Sequence, residues 1–91
     1  MTVSEICDNA IATVMAKRNS FHGAANEILK KIITAMTENN IEISYKSISI
    51  LAQTLDERGF FELRGAVVKM SKMFGVSRTT IYTAINSNGQ T

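Results

Sequence analysis

The sequence predicts an all-α chain of five helices. Three observations carry that expectation. None of the 91 residues is a proline, and proline costs about 3 kcal/mol in a helix interior. Apolar residues recur at helical spacing in five separate stretches, whereas strand-like alternation is confined to Ile41-Glu42-Ile43. Each helical stretch is bounded by residues that start or stop helices.

The first helix is expected over 3–17. Thr2, followed three positions later by Glu5, reads as a capping box, in which hydroxyl and carboxylate each accept one otherwise unpaired backbone N–H. Ile6, Ala10, Ile11 and Val14 then share one face. Asn19 to Gly23 reads as a connector, with His22 as a turn or surface residue. The second helix is expected over 24–38, with Ala25, Ile28, Leu29, Ile32, Ile33 and Met36 as its apolar stripe. Asn39-Asn40 stops it, because asparagine tolerates the left-handed conformation at a helix end. The third helix is capped by Ser44 or Ser47, presents Ile48, Leu51, Ala52 and Leu55 inward, and ends at Gly59. Phe60 to Leu63 is a hinge anchored by two phenylalanines. The fourth helix is expected over 64–74, with Ala66, Val67, Met70 and Phe74 inward, and Gly75 breaks it. Ser77 caps the fifth, whose inward residues are Ile81 and Ile85, and residues 87–91 read as a frayed tail.

Length and composition restrict the rest. A chain of 91 residues fits one compact domain. A hydrophobic share of 45% against a charged share of 20% is globular and excludes a disordered chain. Cys7 is the only cysteine, so no intrachain disulfide forms, and a cytoplasmic location is expected. No apolar run is long enough to span a bilayer, and none reads as a secretion signal. One histidine and scattered acids offer no Ser-His-Asp, Cys-His or paired-carboxylate arrangement, so no enzyme, cofactor, metal or small-molecule ligand is expected. Cys7 reads as a small buried hydrophobe.

Charge is unevenly spread. Residues 58–91 hold Arg58, Arg64, Lys69, Lys72 and Arg78 against Glu62, a net of +4, while residues 1–57 are mildly acidic. That asymmetry points to an anionic partner for the last third.

The stretch from Val67 to Ile85 meets the demands of a helix-turn-helix. Ser71 is small where two helices cross, Gly75 supplies a positive φ for the turn, Val76 plugs it, and Ser77 caps the second helix. The outward face of that helix is then Arg78, Thr79, Thr80, Tyr82, Thr83 and Asn86, all hydrogen-bonding residues and none acidic. These are the candidate base-contacting residues, and Arg64, Lys69, Lys72 and Ser77 are the candidate phosphate contacts. Double-stranded DNA is the partner this pattern implies.

The segments Leu55 to Val67 and Phe74 to Tyr82 resemble the C-terminal DNA-binding domain of YheO-type transcriptional regulators over residues 41–86. The resemblance implies sequence-specific DNA binding through Arg78, Thr79, Thr80 and Tyr82. Those regulators carry a PAS-like sensor domain for which 91 residues leave no room. The chain is expected to divide into a dimerisation region at 1–40 and a DNA-binding head at 41–91. A homodimer is expected because the apolar residues of the first two helices exceed what a three-helix head needs, and at about 25 cal/mol per Å² their exposure is costly. Two other readings stay open. One is a small co-regulator or antirepressor whose head docks on protein. The other is an architectural DNA-binding protein similar in plan to Fis-type nucleoid proteins.

Overall fold

The computed structural model describes residues 1–17 and 23–88. Within them lie five α-helices, α1 (Val3–Ala16), α2 (Ala24–Glu38), α3 (Tyr45–Glu57), α4 (Ala66–Phe74) and α5 (Arg78–Asn88), and a single 3₁₀ turn, Phe60–Glu62. The all-α expectation holds, and Ile41 to Ile43 form a link between α2 and α3 instead of a strand. His22, part of the expected connector and residues 89–91 of the expected tail fall outside the described residues. No described helix is long and apolar enough to cross a membrane.

Local chemistry sets most of the boundaries. Thr2 and Glu5 form the capping box, with Glu5 N–H donating to Thr2 Oγ1 at 3.2 Å and Thr2 N–H to the Glu5 carboxylate at 2.9 Å. These bonds favour the charged carboxylate and hold the Glu5 pKa below its ordinary value. Both candidate caps of α3 take part: Ser44 Oγ accepts from Ser47 N–H, and Ser47 Oγ accepts from Ser44 N–H. At the end of α2, Asn40 has φ 57°. Its N–H reaches Thr37 O while Ile41 N–H reaches Met36 O, the paired bonds of a Schellman turn.

Two boundaries differ from expectation. The fourth helix starts at Ala66 and not at Arg64, because Leu63 is extended and Gly65 is left-handed at φ 72°. The fifth helix runs on to Asn88, through residues assigned from the sequence to a frayed tail.

The apolar residues of the first two helices find most of their partners in the same chain. α1 packs on α2 and α3, α2 packs on α4, and α3 packs on α5. Ile6, Val14, Ile28, Leu29, Ile32 and Met36 are therefore buried within one chain, none more than 1% exposed. They join Leu51, Leu55, Phe60, Met70 and Ile81 in one cluster that runs across residue 40. Each such side chain contributes about 1.5–3 kcal/mol by leaving water, and that gain is collected without a second subunit. Ile11 and Ile33, from the same two stripes, are half-buried, so most of the apolar surface behind the dimer expectation is covered within the chain. Phe60 is the large buried anchor of the hinge, with Phe61 edge-on at a centroid distance of 5.1 Å.

A polar clamp fastens α1 to the end of α3. Arg58 donates to both carboxylate oxygens of Asp8, through Nη2 to Ser4 Oγ at 2.8 Å, and through Nη1 to Thr54 O at 3.2 Å. One cation of the basic C-terminal third is thereby committed to the fold. The Arg58 bond holds the Asp8 carboxyl below the usual aspartate range. Behind the clamp, Cys7 is fully buried, and desolvation pushes its thiol up to about 12 against the opposing pull of Arg58.

Two outcomes follow. A depressed carboxyl pKa stabilises the fold above the unfolded value of about 4 and loses that contribution as pH falls through the folded value. Thermal melts on acidification should show Asp8→Asn with a lower melting temperature at neutral pH and a shallower acid loss. Equal acid slopes in the two proteins would count against the clamp. Cys7 should resist a thiol reagent near pH 8 in the folded chain and react at once in urea. Fast native labelling would show that the α1–α3 contact opens.

Candidate nucleic-acid interface

The turn between α4 and α5 fixes how the last helix stands against the rest. Gly75 ends α4 at φ 67° and ψ 33°, a conformation that costs an L-residue about 1–2 kcal/mol. The carbonyl of Ser71 accepts from Gly75 N–H and, at 3.1 Å, from Val76 N–H. The Ser71 hydroxyl donates to the Val76 carbonyl. Ser71 thus grips both backbone polar groups of Val76. The sequence justified a serine here by size; its hydroxyl is the second half of the grip. Val76 packs against the core as a half-buried plug.

Ser77 starts α5. Its Oγ accepts from Thr80 N–H at 3.1 Å and lies 3.0 Å from Thr80 Oγ1. The cap is present, and it occupies the hydroxyls of both residues. Further along, Ile81 and Ala84 are buried and Ile85 is half-buried. Gln53 on α3 donates through Nε2 to the Ala84 carbonyl at 3.2 Å and fastens the later turns of α5 to α3.

The outward face follows from that anchoring. Arg78, Thr79, Tyr82, Thr83 and Asn86 are exposed, Tyr82 at 51%, and no acidic residue lies in the first turn. At 100° per residue, Thr79, Tyr82, Thr83 and Asn86 form one stripe, with Arg78 at its leading edge. Thr80, a candidate base contact, is half-buried at the margin, in a groove shared with Tyr45, Ile48 and Ser49 of α3. That groove brings to the edge of the α5 stripe two hydroxyl residues that the sequence reading left unassigned. Tyr45 and Ser49 are one helical turn apart, a spacing that puts them on one face of α3. Their neighbour in space, Thr83, is set by tertiary packing alone.

The candidate phosphate contacts fall into two places. Arg64 is exposed in the link before α4. Lys69 and Lys72 line a groove between α2 and α4 with Asn26, Gly65, Val68 and Met73, and no α5 residue lines it. Among the described residues no three His, Cys, Asp or Glu side chains are grouped to hold a metal ion.

A family model described as an HTH domain matches residues 27–86. The match begins inside α2, so the unit it covers comprises most of α2 and then α3, α4 and α5 nearly to its end. Neither a comparison with curated proteins nor one with solved structures gave a match.

The turn makes a sharp expectation. A Cβ at Gly75 would meet nothing within 4 Å, so Gly75→Ala should cost only the backbone term, about 1–2 kcal/mol in urea denaturation. Gly75→Asn should cost less, since asparagine visits this region more readily. Ser71→Ala should cost about 1 kcal/mol through the lost bond to Val76. If Gly75→Ala is neutral, the left-handed turn is not the conformation in solution.

Proposed function

Because this chain belongs to the HTH domain family, we propose that it is a sequence-specific DNA-binding transcriptional regulator that reads the major groove with α5. The observation that carries the reading is the acid-free exposed stripe of α5, held away from α4 by the Ser71–Val76 grip. An α-helix fits the major groove, where each base pair offers a distinct set of donors and acceptors. In that setting Arg78 bonds guanine, Asn86 bonds adenine, and the methyl groups of Thr79 and Thr83 meet thymine. Tyr82 packs along the groove wall. Thr80 serves mainly the helix start and approaches the duplex from the margin. Arg64, Lys69 and Lys72 neutralise phosphates and set the orientation of the head. The resemblance to YheO-type regulators over residues 41–86 supports the same face, through Arg78, Thr79, Thr80 and Tyr82.

The reading does not depend on a dimer, since the core closes within one chain. Selection of bound sequences from a random duplex pool resolves the stoichiometry. A single short site marks a monomeric reader, and a repeat spaced by about 34 Å marks a two-fold pair.

Binding should weaken with salt, with log K falling by about 0.9 per neutralised phosphate for each tenfold rise in salt. Lys72→Gln should flatten that slope by about one contact on every duplex. Arg78→Ala should weaken the selected site by about 1–3 kcal/mol while leaving random DNA less affected. Fluorescence anisotropy titrations measure both. A parent chain that shows no salt-dependent affinity for any duplex would overturn the DNA reading in favour of a protein-docking head. A parent that does not distinguish the selected site from random DNA would make it an architectural binder.

A further inference from the structure

We propose that the groove between the first turn of α3 and the N-terminal half of α5 seats a backbone phosphate of the bound duplex, with Tyr45, Ser49 and Thr83 as its hydrogen-bond donors. The proposal rests on the DNA-binding reading and extends it to a helix that reading does not use. The groove encloses about 240 Å³ and is lined by Tyr45, Ile48, Ser49, Thr80, Thr83 and Ala84. Tyr45 is 73% exposed, while Ile48 in the same turn of α3 is 5% exposed and Ala84 beneath is 7%. The tyrosine ring therefore stands over the groove without serving the core.

The hydroxyls in this region divide into two sets. Those of Ser44, Ser47, Ser77 and Thr80 are engaged in helix caps. Those of Tyr45, Ser49 and Thr83 have no hydrogen-bond partner among the described residues. These three donors line a groove with no acidic lining residue, and Lys46 lies exposed beside Tyr45. A group rich in acceptors and carrying negative charge satisfies all of them. Hydroxyl donors to a charged acceptor make stronger bonds than neutral pairs do. Position identifies the anion as a DNA phosphate. Thr83 belongs both to the groove and to the exposed stripe of α5, so a duplex laid along the stripe carries a strand past the groove mouth.

A phosphate seat is indifferent to base identity, and the test uses that property. The full chain and its Tyr45→Phe/Ser49→Ala variant are titrated by anisotropy against an A·T-rich and a G·C-rich duplex of equal length. The variant removes two hydroxyl groups and little else, and its thermal melt should match the parent's. The expected result is a loss of roughly tenfold on both duplexes by the same factor. An Asn86→Ala control should instead change the ratio between the two. Equal affinity of variant and parent overturns the seat and leaves the α5 reading intact. A loss confined to one duplex overturns it in favour of a base contact. A parent that binds neither duplex removes the seat together with the DNA reading on which it rests.

Discussion

The reversal of the chain at Gly75 is the constraint on which the functional geometry depends. A helix pair crossing over so short a turn needs one left-handed residue, and it needs that residue held in place. Gly75 supplies the conformation, and Ser71 supplies the hold by bonding both polar groups of Val76. With the turn fixed, burial of Ile81 and Ala84 and the bond from Gln53 leave α5 little freedom to roll. Which side chains of α5 face outward is then decided by helical periodicity alone. A flexible turn would give the same side chains no common direction.

The remainder of the chain braces that arrangement. α3 sits between α1 on one side and α5 on the other, and α2 backs α4. Helices α1 and α2 thus act as a buttress for the last three. The Arg58 clamp ties the end of α3 to α1 across the sequence, and the buried Phe60 closes the corner before α4. The family match beginning at Glu27 accords with this division of labour, since it draws α2 into the same unit as α5.

Features set by neighbours in sequence were legible in it. The capping box at Thr2, a serine cap on α3, the stop at Asn39-Asn40, the turn at Gly75 and most of the α5 stripe each follow from side chains within one or two turns. The start of α4 was misplaced because Arg64 is a good helix former and only the left-handed Gly65 excludes it. That α1 faces α3 and α2 faces α4 is not legible from apolar periodicity, which shows that a stripe is buried but not against what. Arg58 was read as part of a basic surface because its partner, Asp8, is 50 residues away. Tyr45 and Ser49 were passed over for the same reason: nothing near them in sequence announces Thr83.

Two left-handed glycines, Gly65 and Gly75, bracket the nine residues of α4. Their spacing makes α4 a measured strut, because one added or removed residue turns everything beyond it by about 100°. Point changes on its exposed side, such as at Val68 or Lys72, leave that angle alone. Divergence among descendants of this chain would therefore proceed by replacement within α4, with insertions and deletions confined to the link that precedes the strut.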